Sequence, residues 1–389
     1  MKILTRTILL LSLVSMLTDI SSEMLYPVMP VYLTSIGFSA LFIGILEGFA
    51  EAIAGFSKGY FGQLSDSKGR RLPFVQIGYG LSSLSKLMMG IFASPVLIFG
   101  ARTIDRLGKG IRTSARDALL SSETTQEHKG KVFGFHRGAD TLGAAIGPIL
   151  ALVFLAFYPN QYQTLFLIAF IPAVLGVVCT AIIREKPFDI TVRQTKQVGL
   201  FSFLAYWKIA PPEFRKLVIG LLFFALMNSS DLFILMLIKH RGASDIDVIK
   251  AYILYNLIYA VAAFPIGILA DKIGLRRMLV IGLLIFAGVY GGLALSNDYL
   301  IICVLLAFYG IYAAASEGVA KAWITNSVSK SETATALGFY IGMGSIFSLL
   351  SSLVAGLLWS AFFPEVTFGV SAVGALVVVG YFARVTMAR

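Results

Sequence analysis

Apolar positions along this chain fall in long unbroken runs, and the runs are separated by short polar connections. A run of about 20 apolar residues forms a helix long enough to cross the ~30 Å hydrocarbon layer of a bilayer. Lipid offers the backbone no hydrogen-bond partner, so each run is predicted to be an α-helix. The pattern predicts twelve membrane spans, near residues 9–34, 41–64, 73–94, 96–117, 132–157, 163–183, 217–238, 249–270, 277–296, 299–323, 335–360 and 364–384.

One long polar interruption divides these spans into six and six. It runs from Arg184 to Lys216, is rich in lysine and arginine, and contains Pro211 and Pro212, which break any continuous helix. The sequence therefore predicts an all-α membrane protein with a six-helix bundle at 1–183, a cytoplasmic linker at 184–216 and a second six-helix bundle at 217–389.

Composition and charge support this class. Hydrophobic residues make up 57% of the 389 residues and charged residues 14%, whereas soluble proteins carry about 25% charged residues. Lysine and arginine occur at the N-terminus and in alternate connections, which predicts that both termini are cytoplasmic. The net charge of +11 is thus mainly a topology signal, and we expect no nucleic-acid partner.

The chain ends and the cysteines narrow the class further. Lys2 and Arg6 precede the first apolar run, but no small-residue cleavage site follows, so we interpret this run as a retained first span. Cys179 and Cys303 both lie inside apolar runs, which excludes a disulfide framework or a thiolate zinc cluster. No resident metal or cofactor is predicted.

The two halves repeat. The loop pattern G-x-L-x-D-x-x-G-x-R at 62–71 recurs at 267–276, an offset of 205 residues that also aligns Gly37 with Gly242. Chance similarity between apolar helices does not explain a shared polar loop at the same place in both halves.

This loop resembles the signature between the second and third spans of the major facilitator superfamily. The resemblance covers the whole chain and implies a monomeric multi-pass transporter of the inner membrane, with a small-molecule substrate and a lipid bilayer as partners, rather than an enzyme. It also implies a gating role, in which an acidic side chain locks one conformation by a contact that breaks in each cycle. The residues concerned are Gly62, Asp66, Gly69, Arg70, Arg71, Asp271 and Arg276.

A glycine pattern in the fifth span resembles that of proton-coupled antiporters. Gly134, Gly143, Gly147 and Pro148 match it, whereas Ala151 and Leu152 replace the closing pair of glycines of that family. The resemblance implies proton-coupled efflux and adds Gly143, Gly147 and Pro148 to the gating residues. Close helix packing through small residues is the structural reading of the same pattern.

Ionisable residues at bilayer depth cost about 2.5–3.5 kcal/mol each or more, so they are candidate functional residues. Asp19 and Glu23 lie four residues apart on one face of the first span with Tyr26, and Glu47 and Glu51 are four apart in the second. Such acids either exchange protons or bind a cation, or they pair with nearby bases.

The fourth span supplies those bases in a polar stripe. We expect its deep members to pair with the acids of the first two spans or to contact an anionic substrate; they are Arg102, Asp105, Arg106 and Lys109. In the fifth span, His136 and Asp140 lie four residues apart, which predicts a proton relay or a salt bridge. The second half offers fewer charges, and its polar and aromatic candidates are Asn228, Asp231, Asn256 and Tyr309.

These residues divide into two predicted roles. Proton coupling is assigned to Asp19, Glu23, Glu51, Asp105, His136 and Asp140. Substrate binding is assigned to Asp19, Glu23, Tyr26, Glu47, Arg102, Arg106, Lys109, Asn228, Asp231, Asn256 and Tyr309.

The leading hypothesis is a proton-coupled secondary transporter that exports a small organic solute, such as a drug-like compound, a siderophore or a metal chelate. Three alternatives stay open: a divalent metal-ion transporter that uses the acids of the first two spans, an importer of an organic or phosphorylated anion, and a non-transporting receptor or scaffold.

Overall fold

A computed structural model of the chain describes residues 4–26, 28–29, 32–33, 36–37, 40–185, 199 and 201–384. At residues 40–45, 47, 48, 51, 232, 245, 246 and 249 the description covers the backbone alone. Within these ranges the regular elements are all helical, which confirms the predicted all-α class. The helices are α1 (Arg6–Leu25), α2 (Ala40–Ser67), α3 (Leu72–Ile91), α4 (Pro95–Ser122), α5 (Lys129–Phe157), α6 (Tyr162–Ala181), α7 (Tyr206–Ile209), α8 (Pro212–Met227), α9 (Leu232–His240), α10 (Asp245–Ile273), α11 (Leu275–Leu295), α12 (Tyr299–Asn326), α13 (Thr333–Ala361) and α14 (Pro364–Arg384).

Eight helices in the described part of the chain are long and apolar enough to cross a membrane. They are α1, α5, α6 and the five helices from α10 to α14. The chain is therefore a multi-pass membrane protein. The total of twelve spans and the cytoplasmic position of both termini stay predictions.

The predicted seventh span, 217–238, is not one continuous helix. Helix α8 ends at Met227 and α9 begins at Leu232, and Asn228 between them adopts an extended backbone with φ −98° and ψ 93°. The intervening sequence is Asn-Ser-Ser-Asp, whose short polar side chains compete with the helical backbone for hydrogen bonds. Four such residues in a row interrupt a helix that the flanking apolar residues would otherwise continue.

The chain forms two compact units. Unit 1 comprises Met1–Thr124, Ala139–Ile209 and Ser329–Gly342, and unit 2 comprises Thr125–Gly138, Ala210–Val328 and Met343–Arg389. This division differs from the predicted halves at residues 125–138 and 329–342, because each of these segments groups with the other unit. The first turns of α5 therefore belong to unit 2, and those of α13 belong to unit 1.

The internal repeat is visible in the backbone. Gly69 and Gly274, which are equivalent in the two copies of the loop, both adopt positive φ, 65° and 98°. Gly37 and Gly242, at the same offset, have φ of 96° and 87°. Residues with a Cβ rarely adopt such angles, so glycine recurs where the two copies need the same turn.

Candidate functional site

Two carboxyl groups meet inside unit 1. Asp19 on α1 and Asp140 on α5 lie within hydrogen-bonding contact of each other. Ser15, one turn before Asp19, donates a hydrogen bond to Asp140 Oδ1. Arg116 of α4 donates to Ser15 Oγ at 2.8 Å, and its Nη1 lies 3.9 Å from Asp140 Oδ1. Side chains from three helices thus converge on the two acids.

Close approach of α5 to α1 brings these acids together. A Cβ on Gly147 would lie 2.7 Å from the carbonyl oxygen of Ile20, and one on Gly143 would collide with the carbonyl oxygen of Met16. The same Cβ on Gly143 would stand 3.2 Å from Cβ of Asp19. Glycine at both positions therefore lets α5 pack directly against the backbone of α1.

Glu23 continues the acidic face of α1. Lys109 of α4 interacts electrostatically with both Asp19 and Glu23, and Arg106 interacts with Glu23. Lys109 is exposed, whereas Asp19, Glu23 and Arg106 are half-buried. The bases of α4 therefore face acids of α1, as the sequence predicts for Arg106 and Lys109.

A second ion pair lies between α3 and α4. Asp105 accepts a hydrogen bond from Lys86 Nζ at 2.5 Å, and Arg102 Nη1 lies 3.8 Å from the same carboxylate. The Lys86 side chain is 1% exposed. Asp105, a predicted coupling residue, is thus bound to a buried lysine that the sequence analysis did not single out.

The remaining bases of α4 are also engaged. Arg112 stacks 4.5 Å above the ring of Tyr79 and donates to Ser82 Oγ. Arg116 pairs with Asp117 at 2.9 Å. These contacts stabilise charges that lipid could not solvate.

Unit 2 contains one conspicuous acid at the break between α8 and α9. Asp231 accepts hydrogen bonds from the hydroxyl groups of Tyr309 at 2.6 Å and Tyr255 at 2.8 Å. Asn228 Nδ2 donates to the Tyr312 hydroxyl at 3.2 Å. The buried Asn256 donates to a carbonyl oxygen of its own helix. Four predicted binding residues therefore lie in one tyrosine-rich region of unit 2: Asn228, Asp231, Asn256 and Tyr309.

The signature loop caps a helix in unit 1. Asp66 Oδ2 accepts hydrogen bonds from the backbone N–H of Thr335 at 2.8 Å and from its hydroxyl at 3.0 Å, in the first turn of α13. Its other oxygen pairs with Arg71 at 2.9 Å, and both side chains are at most 2% exposed. A Cβ on Gly62 would collide with the backbone of α13 at Ala334. An acid at this end complements the unpaired N–H groups and the helix dipole.

The second copy of the loop does the same in unit 2. Asp271 accepts from the backbone N–H groups of Gly130 at 2.7 Å and Lys131 at 2.8 Å, at the start of α5. Gly267 packs against the backbone of Gly130. Arg276 donates to the carbonyl oxygen of Phe382 at the end of α14, whereas its counterpart Arg71 pairs with the aspartate of its own loop.

Comparison with known proteins shows the family of this chain. The profile of the Major Facilitator Superfamily matches residues 11–254 and 217–388. An uncharacterized MFS-type transporter of Methanocaldococcus jannaschii is 35% identical over 372 residues, which are 94% of this chain and 91% of that protein. The chain belongs to the Major Facilitator Superfamily. It is therefore a membrane transporter of that superfamily.

Solved structures of the superfamily share the fold. The human organic anion transporter MFSD10 superimposes with a TM-score of 0.78 at 17% identity, over 97% of this chain and 99% of that one. The transporter FucP in an outward conformation superimposes with a TM-score of 0.80 at 13% identity, over 97% and 98%. At these identities the likeness concerns the fold alone.

The other predicted residues of this superfamily member lie at the end of α1, in the signature loop and along α5. Tyr26, at the end of α1, and Arg70, in the loop, are exposed, and Pro148 lies inside α5. His136 is buried in unit 2. The side chains of Glu47 and Glu51 lie outside the described part of the structure. Among the described residues, no group of three or more His, Cys, Asp or Glu side chains is arranged to hold a metal ion.

Two residues that contact the acids of unit 1, Lys86 and Ser15, were not identified from the sequence. Lys86 lies in an otherwise apolar third span, where a lone lysine is itself a signal that an acid lies nearby. Ser15 carries no such signal, because serine is common in membrane helices and its link between Arg116 and Asp140 depends on the packing of three helices.

Proposed function

We propose that this transporter is a proton-coupled secondary carrier that exports a small organic solute by alternating access. The observation that carries the proposal is the contact between the carboxyl groups of Asp19 and Asp140. Two carboxylates in hydrogen-bonding contact repel each other strongly unless they share a proton. Such a pair takes up or releases one proton with little rearrangement.

The surrounding charges support exchange of that proton. Lys109 interacts electrostatically with both Asp19 and Glu23, and it is an exposed residue of unit 1. Arg116, held by Asp117 and bonded to Ser15, stands beside Asp140 and stabilises its ionised form. Proton release from the pair would therefore be followed by a shift of Lys109 or Arg116 toward the new negative charge.

Three features support the remaining parts of the proposal. Gly143 and Gly147 pack closely against α1, and the resemblance of their sequence pattern to that of proton-coupled antiporters favours export. Asp66 and Asp271 cap the first turns of α13 and α5, and contacts of this kind would break and re-form in a transport cycle. An organic solute, such as a drug-like compound, a siderophore or a metal chelate, is the substrate class that the same resemblance favours.

The proposal is tested in proteoliposomes that contain a trapped pH indicator. A panel of organic cations, anions, neutral drugs and iron chelates is added, and solute-driven proton movement is recorded. We expect at least one solute to move protons through the wild-type protein. Asp19→Asn and Asp140→Asn should abolish this signal while equilibrium binding of the same solute is kept.

Glu127→Gln is the matched control, because it removes an exposed carboxylate outside the cluster and should leave the signal unchanged. Full solute-driven proton movement in both aspartate variants would refute the coupling assignment. Binding that disappears together with the proton signal would mean that the two acids hold the solute rather than the proton.

An importer of an organic or phosphorylated anion is the second candidate. The exposed Lys109 and the half-buried Arg106 favour it, because both present positive charge that a carboxylate or phosphate could bind. The same panel separates the two functions. Proton-driven accumulation of an anion inside liposomes, lost in Lys109→Gln, would favour the importer over the exporter.

A further inference from the structure

The helix break in unit 2 holds an acid whose structural role is not evident. Asp231 stands at the N-terminal cap position of α9, yet its side chain makes no capping hydrogen bond to that helix. Its carboxylate instead accepts from the hydroxyl groups of Tyr255 and Tyr309. A side chain that served only as the N-terminal cap would accept hydrogen bonds from the first N–H groups of the helix.

The charge of Asp231 is not balanced inside its own region. In the part of the chain that the structure describes, Asp231 has hydrogen bonds from two tyrosines and no ion pair with a lysine or arginine. The acids of unit 1 differ, since Asp105 pairs with Lys86. A carboxylate that is partly removed from water without a counter-charge is costly, so the binding of a cation beside it would be favourable.

A cluster of aromatic rings adjoins this carboxylate. The ring centroids of Tyr252 and Tyr255, and of Tyr255 and Tyr309, are 5.5 Å apart, and those of Tyr309 and Tyr312 are 5.2 Å apart. Tyr309 also lies 6.2 Å from Tyr290. Rings present a negative face, and several rings beside a carboxylate attract an organic cation.

The edge of this region is exposed, although Tyr255, Tyr309 and Tyr312 are buried. Asp231 and Tyr252 are half-buried, and Ser230 is exposed, so the acid can be reached from outside unit 2. Asn228 Oδ1 is a buried acceptor without a hydrogen-bond partner among the described residues. A protonated amine would satisfy both the acceptor and the charge, whereas a quaternary ammonium group would satisfy the charge alone.

We propose that Asp231 and the ring of Tyr252, Tyr255, Tyr309 and Tyr312 bind a monovalent organic cation, a protonated amine or a quaternary ammonium group. This inference rests on the proposed transport function and names the substrate class that unit 2 recognises. A sodium ion is the main competitor, because it also seeks oxygen ligands. The rings distinguish the two cations, since tyrosine faces add contact and cation–π attraction for an organic cation that a small hydrated ion does not need.

The test is an equilibrium binding measurement on the purified full chain in detergent, with no pH gradient. The probes are benzyltrimethylammonium and tetraphenylphosphonium, and benzenesulfonate is the charge-reversed control. Wild-type protein should bind both cations saturably and the anion at least tenfold more weakly. Asp231→Asn should weaken cation binding at least tenfold, which corresponds to about 1.4 kcal/mol.

Substitutions of Tyr252 separate the ring from the hydroxyl group. Tyr252→Phe keeps the ring and should bind within about twofold of wild type, whereas Tyr252→Leu should lose roughly threefold to tenfold. Glu213→Gln, which removes an exposed carboxylate at the start of α8, is the matched control and should not change binding. Size-exclusion profiles and thermal midpoints establish that each variant is folded.

Several results would overturn the inference. Absence of saturable binding of both cations to the wild type would do so without any variant. Unchanged binding in Asp231→Asn would place the cation elsewhere, and displacement of both cations by millimolar sodium would assign the acid to a sodium ion. The binding test of Asp231 and the proton-movement test of Asp19 and Asp140 measure different quantities. Failure of either test therefore leaves the other proposal intact.

Discussion

At the scale of single residues, this transporter neutralises most of its buried charges with named partners. Lys86 and Asp105 form a deeply buried pair, and Arg102 joins them. Taking both charges out of water is expensive, and their attraction repays the cost only while both are present. The pair is therefore more sensitive to the loss of one partner than to the loss of both.

This asymmetry predicts the stability of two variants. Lys86→Met should lower the free energy of unfolding by about 3–5 kcal/mol, because it leaves Asp105 buried with Arg102 alone. The double variant Lys86→Met with Asp105→Leu should recover much of the loss. Thermal unfolding in detergent measures both, with Lys68→Met, an exposed lysine, as the control. A double variant less stable than Lys86→Met alone would contradict the prediction.

At the scale of helices, the approach of α5 to α1 depends on the absence of side-chain atoms. Gly147 faces the carbonyl oxygen of Ile20, whereas Gly100 on α4 has nothing within 4 Å of an added Cβ. Alanine has a higher helix propensity than glycine by about 1 kcal/mol. Packing and propensity therefore oppose each other at Gly147 and not at Gly100.

Alanine substitutions at these two positions should have opposite signs. Gly100→Ala should raise the unfolding free energy by up to about 1 kcal/mol. Gly147→Ala should lower it by roughly 1–3 kcal/mol, because α5 must move away from α1. Paired thermal melts of the two variants provide the measurement. If both substitutions stabilise, the close contact between α5 and α1 is not present in solution.

At the scale of the whole molecule, the two copies of the loop perform the same task with unequal strength. Asp66 caps α13 and also holds the buried Arg71, while Asp271 caps α5 through two backbone N–H groups. The repeat is thus equivalent in fold and unequal in energy, because among the described residues the first copy buries an arginine–aspartate ion pair and the second does not.

The inequality predicts that Asp66→Asn costs more stability than Asp271→Asn. We expect about 3–5 kcal/mol for Asp66→Asn, where a buried pair is broken. Asp271→Asn should cost about 1–2 kcal/mol, the loss of charge from two hydrogen bonds. Amide hydrogen exchange should rise at residues 333–336 in the first variant and at 129–132 in the second. Equal losses would mean that the Arg71 contact contributes nothing.

Much of the fold was accessible from the sequence. Twenty-residue apolar runs, on the order of the length a bilayer requires, predict helices directly, and the repeated loop predicts equivalent turns that Gly69 and Gly274 both adopt. The break at Asn228–Asp231 was missed, because a hydropathy pattern averages over four polar residues within an apolar run. Periodicity alone also does not assign the first turns of α5 and α13 to a unit.

By itself, the sequence determined the class, the repeat and many of the buried charged residues, because the bilayer penalises every exposed backbone group and every unsolvated charge in the same way wherever it stands. Only the tertiary structure decided which charges meet: Lys86 with Asp105, Asp140 with Asp19, and Asp231 with tyrosines rather than with a base. Such pairings depend on the rotation and spacing of neighbouring helices to within an ångström or so, which local sequence patterns do not encode.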